Sequence, residues 1–389
     1  MSLSPYGLIE LPLWGYVLVT FVTIQTMFLG VTLYLHRDQS HGGLALHPAV
    51  RHLFRFWLWL SSGAITKEWV AVHRRHHALA DRQGDPHSPV VFGLRRVVFE
   101  GYELYCAAAR DPETLRNFGR GTPQDWIERH LYSAHRNLGL VLFAALHLVL
   151  FGVPAIVMVS VHFMSQPFFA AGVINGLGHA VGYRSFEMPS MATNIVPWGV
   201  LLGGEELHNN HHAFPRSARF SVQRWELDIG WLWIRLFRAL GLAKVRWVAP
   251  RPHFERRRRD LDADTVQALF VNRMHVLRDY ARRVVLPVCR ELSRREPQGC
   301  VPGTAAQLLI RHPALLAEEA RRKLRELLER YEVLRRVVEY RESLQQLWND
   351  TSSNQARAVQ QLREWCRRAE ASGIRALREF ALALPAYSR

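Results

Sequence analysis

From Leu11 to Leu35 the chain reads LPLWGYVLVTFVTIQTMFLGVTLYL, 25 residues without one formal charge. About 20 apolar residues cross a bilayer, so this run predicts one tilted span, ending abruptly at His36-Arg37-Asp38. A second uncharged block runs from Leu138 to Gly178. Its length suits two spans, near 137–152 and 154–176, with Gly152-Val153-Pro154 as the turn between them. Leu53–Thr66, LFRFWLWLSSGAIT, is short for a span and carries Arg55. It reads as an interfacial or re-entrant segment with Trp57 and Trp59 at headgroup level, and the Trp-rich basic stretch Trp225–Trp247 as another surface segment. From about residue 260 the period changes. ALLAEEARRKLRELLERYEVLRRVVEYRESLQQLW has Leu and Val at three- and four-residue spacing with Glu and Arg between, an amphipathic helical texture punctuated by Pro313, Asn349–Ser353 and Ser372-Gly373-Ile374.

The pattern predicts an all-α integral membrane protein over residues 1–250, followed by a basic, soluble helical extension over 251–389. Three spans place the termini on opposite sides. Arg74, Arg75, Arg95, Arg96 and the ERRRRD run at 255–260 then share one side, which the positive-inside rule makes cytoplasmic.

Charge and cysteine content refine this picture. The net charge is +16, with no zinc-finger spacing or RNA-binding aromatic signature beside it, so anionic headgroups are a simpler counterpart than nucleic acid. Residues 251–389 hold 28 Lys/Arg against 18 Asp/Glu, read as solvated helix faces. Cys106, Cys289, Cys300 and Cys366 form no CxxC pair, which excludes a disulfide framework or zinc ribbon and fits a reduced location. No cleavable signal peptide is evident.

The 19 histidines change the picture most. His36 and His41 frame HRDQSH; His73, His76 and His77 make HRRHH; Asn175 and His179 frame NGLGH; His208, His211 and His212 open HNNHHAFP. Residues three and four apart share a helix face, so each HxxHH triplet can converge on one point. On the predicted topology all four groups lie at one depth, on the cytoplasmic side. His47, His52, His87, His130, His135, His147, His162, His253, His275 and His312 stand alone and read as structural. Nine clustered imidazoles without a metal would leave many ring nitrogens seeking partners. They are too many for one ion and about right for two. HExxH is absent and no carboxylate interrupts the two HxxHH boxes, which excludes the metalloprotease and Glu-rich di-iron bundle patterns. A metal pair facing lipid tails implies chemistry at an unactivated C–H bond, hence redox iron with dioxygen rather than zinc.

The order HxxxxH, HxxHH, NxxxH, HxxHH around apolar spans resembles the membrane-bound fatty-acid desaturases of the stearoyl-CoA and acyl-lipid delta-9 type. KEWVAVHRRHH, GDPHSP and HNNHHAFP are similar to further stretches of that family, and the resemblance covers residues 10–250. It implies transmembrane helices carrying a cytosolic di-iron cap. His36, His41, His73, His76, His77, His179, His208, His211 and His212 would be iron ligands, with Asn175 holding one iron through a water. Trp69 would stand near the acyl tunnel, and Asp85 would back a ligand from behind. The implied reaction uses dioxygen and two electrons to place a cis double bond, at the ninth carbon, in a saturated acyl chain carried by phospholipid or CoA. The short N-terminus resembles bacterial members, which implies the inner membrane. The relatives commonly have four spans, one more than is found here. The chain shows no HPGG haem motif, no ferredoxin-like cysteines and no GxGxxG after a strand, so no flavin or haem is expected, and electrons must come from a separate donor such as a ferredoxin with its reductase. The rival readings are a membrane di-iron hydroxylase and a metal sensor or transporter. A transporter would place its ligands nearer mid-span.

Overall fold

In the computed structural model, which describes residues 5–255, 260–296, 302–350 and 355–388, the first apolar run forms helix α1, Leu13–Ser40. Its threonines bond back to its own carbonyls, Thr20 to Tyr16 (2.8 Å) and Thr26 to Val22 (2.7 Å), so the apolar stretch carries no unsatisfied hydroxyl there. The helix does not end at His36, as the charges suggested. It continues to Ser40 with Val31–Ser40 widened into a π-helix. The charges are absorbed by partners instead of ending the helix. Arg37 donates to the Asp228 carboxylate (3.0 Å) and to the carbonyls of Gly203 and Ala218, and Arg51 clamps Asp38 at 2.6 and 2.7 Å. Gly204 and Gly230 leave the room this needs: a Cβ on either would stand 2.8 Å from the Arg37 guanidinium.

A short strand β1, Leu44–Leu46, leads into α2, Pro48–Ser62, which Gly63 closes in a left-handed cap (φ 64). Helix α3 is Thr66–Leu79 and α4 is Leu94–Arg110. The second apolar block folds as a hairpin of α5, Arg136–Phe151, and α6, Pro154–His179, turning at Gly152 (φ 62). The short α7, His208–Ala213, and α8, Ile229–Ala239, follow, and β2, Ala243–Val245, returns antiparallel to β1.

Among the described residues, two helices rather than three are long and apolar enough to cross a membrane, α1 and α6. The sixteen residues of α5 rise only about 24 Å. Trp59 also departs from expectation. It is 2% exposed and donates its indole N–H to the His135 carbonyl (3.1 Å), while Trp57 is half-buried, so α2 is packed against α1 and α5 rather than anchored by two surface tryptophans. Gly139 of α5 permits the approach: a Cβ there would lie 2.3 Å from the Trp59 carbonyl oxygen. Gly139→Leu is therefore expected to lower stability by about 1–3 kcal/mol through overpacking against backbone that cannot yield. Thermal unfolding of the detergent-solubilised protein checks this, and an unchanged Tm would contradict it.

The chain divides into two compact units, Met1–Arg184 with Ser190–Ala249, and Ser185–Pro189 with Pro250–Arg389. The second is helical. Its amphipathic run is split at Tyr331 into Glu318–Arg330 and Glu332–Asp350, and a break at Ser372-Gly373 (φ 73) separates Gln355–Glu370 from Arg375–Ala383. These helices share a core that includes Tyr280, Leu334, Leu344, Trp365 and Phe380. Among the described residues Cys106, Cys289 and Cys366 form no disulfide, whereas Cys300, Arg256–Arg259 and residues 351–353 lie outside the described residues.

Candidate metal centre

The π-helical end of α1 carries His36, and His41 follows it. Helix α3 supplies His73, His76 and His77, the end of α6 supplies His179, and α7 supplies His208, His211 and His212. The two asparagines inside HNNHH hold α7 in place. Asn209 donates to the Ala192 carbonyl (2.9 Å), and Asn210 donates to the Phe220 carbonyl (3.0 Å) and to Glu226 (2.8 Å).

All nine histidines meet, in two groups: His36, His41, His73, His77 and His211 in one, His76, His179, His208 and His212 in the other. Within each group the ligand atoms lie within 4.8 Å of one another. The HxxHH triplets do not each converge on a single point. Each sends one residue to the other group, His76 from the first box and His211 from the second. Successive helical residues are about 100° apart, so neighbours such as His76 and His77 diverge while an i,i+4 pair stays together. Asn175 lines the cavity described below, as His208 does.

Three carboxylates stand behind the rings. His36 Nδ1 lies 2.6 Å from Glu205, His76 Nδ1 3.0 Å from Asp85, and His179 Nδ1 3.0 Å from Asp81. Asp85 is where the sequence placed it; Asp81 and Glu205 were missed. Asp85 and Asp81 accept the Nδ1–H of His76 and His179, which leaves a bare lone pair on the Nε2 of each of those histidines. In the second group, Nε2 contacts run His76–His212 (3.3 Å), His212–His208 (3.1 Å) and His208–His179 (3.0 Å). The outer two rings have no proton to offer, and the inner two have at most one each. Two protons cannot fill three contacts, so the donor set calls for a cation. The spacing agrees, since nitrogens about 2.1 Å from one ion and at right angles are about 3.0 Å apart. In the first group His211 Nε2 likewise meets both His36 (3.0 Å) and His77 (2.8 Å).

Electrostatics favours the neutral form of five of the donors. Burial, then neighbouring imidazoles, pushes His73, His77, His211 and His212 well below the usual histidine range, and burial pushes His41 down to about 3. Burial works to raise the Asp81 carboxyl, but His179, the Ser88 hydroxyl and the Met191 N–H outweigh it and hold the group below its ordinary value. Burial pushes Glu205 up to about 8. A bound cation opposite His36 would favour its carboxylate form.

A cavity reaches both groups. Phe28 and Val31 of α1, Val72 of α3, Tyr105 of α4, and Phe169, Ala170 and Ile174 of α6 form apolar walls, and His36, His73 and His208 also line it. Trp69 is also on the wall, its ring stacked on His73 at 4.9 Å. His87, set aside in the sequence as a lone residue, lines it too. The two groups of ring nitrogens stand beside a mostly apolar cavity.

Two family models match the chain. The family model described as fatty acid desaturase matches residues 12–235, and one described as transposase matches residues 267–388, outside every histidine of the two groups. The chain is 29% identical over 241 residues to delta-9 acyl-lipid desaturase 2 of Arabidopsis thaliana, covering 59% of this chain and 74% of that one. It is 30% identical to icosanoyl-CoA 5-desaturase of Limnanthes douglasii (59% and 65% covered) and 31% identical to sn-1 stearoyl-lipid 9-desaturase of a Synechocystis strain (56% and 66% covered).

Proposed function

The chain belongs to the fatty acid desaturase family, and on that premise we propose that its two histidine groups hold two iron ions serving a cavity for one saturated acyl chain. The reaction class follows. Dioxygen, two electrons and two protons take two hydrogens from adjacent methylenes, giving a cis double bond at the ninth carbon and two waters. The iron pair supplies the oxidising power for a C–H bond that no acid or base could break.

One observation carries this reading: the wall of the apolar cavity includes His36 and His73 of one group and His208 of the other. A methylene chain in that cavity has its middle carbons against both groups at once. The protein's share of the work is positional. Phe28, Val31, Phe169 and Ile174 exclude water and fix how far the chain enters, and the Trp69–His73 stack holds one wall rigid. Asn175, which lines the cavity as His208 does, steadies the ion of the four-histidine group through a water.

In the same reading α1 and α6 cross a bacterial inner membrane, with α5 packed beside them, and the site faces the cytoplasm. Exposed apolar residues along these helices support this: Val17, Phe21 and Val22 on α1, Val141 and Leu146 on α5, Ile156, Val157 and Val161 on α6. The acyl group arrives on phospholipid or CoA, and electrons come from a separate carrier such as a ferredoxin with its reductase. The C-terminal helices lie outside the reading, and no nucleic-acid partner is part of it.

The test is the fatty-acid profile, resolved by lipid class, of a host without its own aerobic desaturase, grown in air and under argon. New cis-9 monoenes only in air support the reading; hydroxylated or unchanged chains overturn it. Cavity shape is checked separately. Ala170→Trp is expected to shorten the longest chain accepted, with kcat/KM falling roughly 10- to 200-fold for each methylene that no longer fits. An unchanged chain-length profile would show that the acyl chain lies elsewhere.

A further inference from the structure

His87 is 4% exposed, yet neither ring nitrogen has a hydrogen-bond partner among the described residues. Buried polar atoms without partners are uncommon and mark either strain or a missing ligand. Strain is not the explanation here, because the residue is held deliberately. Its backbone N–H donates to Asp85 Oδ1 (3.1 Å), and its ring lies face-near to His76, centroids 4.6 Å apart. That places the ring in the cavity wall beside the four-histidine group.

His76, Asp85 and His87 come close enough together to suggest a third metal site. The hydrogen bonds argue against it. Asp85 Oδ1 already receives His76 Nδ1 (3.0 Å) and the His87 N–H, while Oδ2 receives His76 Nδ1 (3.0 Å) and the Asp81 N–H (2.8 Å). A carboxylate whose oxygens both face N–H donors presents no free side to an ion. The His76 Nδ1 is committed to Asp85 as well, so its remaining lone pair, on Nε2, belongs to the four-histidine group. His87 is therefore a spare imidazole, with one donor and one acceptor, at the wall of an otherwise mostly apolar chamber.

We propose that His87 is a positioning residue that holds an ordered water in the cavity at the open side of the four-histidine group. Four imidazoles leave more of an ion's surroundings open than the five of the other group, so this is where a water has a place. A buried water needs about three polar partners. His87 supplies one, and Asn175, which lines the same cavity, is suited to supply another.

This inference rests on the desaturase reading above, and its test separates the two. His87→Phe keeps the ring's size and removes both nitrogens; His87→Gln restores a donor and an acceptor. Purified enzymes are compared for iron per chain, for deuterium hyperfine coupling from exchangeable water near the iron after transfer to D2O, and for double bonds formed per dioxygen consumed. His87→Phe is expected to retain two irons, lose the exchangeable-water coupling, and form about 10- to 100-fold fewer double bonds per dioxygen, with partial recovery in His87→Gln. Wild-type coupling and yield in His87→Phe would overturn the proposal. Loss of an iron would also overturn it, by making His87 a ligand. Wild-type enzyme that forms no double bonds would instead count against the desaturase reading itself.

Discussion

His211→Ala is expected to abolish double-bond formation, with activity falling by at least the roughly 100-fold seen when metal surroundings are damaged. His211 is fully buried, and its Nε2 meets both His36 (3.0 Å) and His77 (2.8 Å), so it links the α1 and α3 ligands of the five-histidine group. It is also the residue that α7 sends across from its own box, while His208 and His212 serve the other group. Its loss removes one donor and frees two others. Membrane insertion should survive, because His211 lies in α7, outside the long apolar helices. The expected result is an inserted protein at normal abundance, depleted of iron and without product. Full activity in this variant would show that the residue is not a ligand.

Asp81→Asn is expected to weaken metal binding by about 10- to 100-fold with the fold retained. Asp81 has a positive φ of 62°, a conformation that Asn adopts as readily as Asp, so the backbone has no reason to move. The chemistry is different. Asp81 accepts from His179 Nδ1, Ser88 Oγ (2.7 Å), Ser190 Oγ (3.0 Å) and the Met191 N–H (2.6 Å), four donors on one carboxylate. An amide offers one acceptor oxygen and turns two N–H donors toward the rest. His179 then loses both its fixed tautomer and the negative charge that raises its basicity. Chelator competition on purified protein measures the effect, and wild-type affinity in Asp81→Asn would mean that the carboxylate has no part in orienting His179.

The sequence picked out the nine histidines that meet in two groups because their periodicity is a property of spacing. What it could not show is how two helices divide six residues between the two groups, since that depends on which way each helix turns toward the other. The backing carboxylates were legible only in part. Asp85 stood out in GDPHSP, whereas Asp81, four residues after His77, and Glu205, three before His208, sit at spacings shared by many surface acids. His87 was discounted because a single histidine has no period. The end of α1 was misplaced for a related reason. Arg37 and Asp38 look like a helix terminus until Asp228 and Arg51, distant in sequence, neutralise them. Nor does composition disclose that 267–388 is similar to a transposase model, because amphipathic helices rich in Arg and Glu look alike whatever their origin.

The central claim is that nine imidazoles form two metal sites, one of five ligands and one of four. Iron per chain, measured on protein purified in detergent and reconstituted anaerobically with ferrous iron, tests it most directly when wild type is set beside His41→Ala and His212→Ala. Two irons in wild type and about one in each variant, lost from different spectroscopic environments, is the predicted result. One iron in wild type, or the same iron lost in both variants, would contradict it.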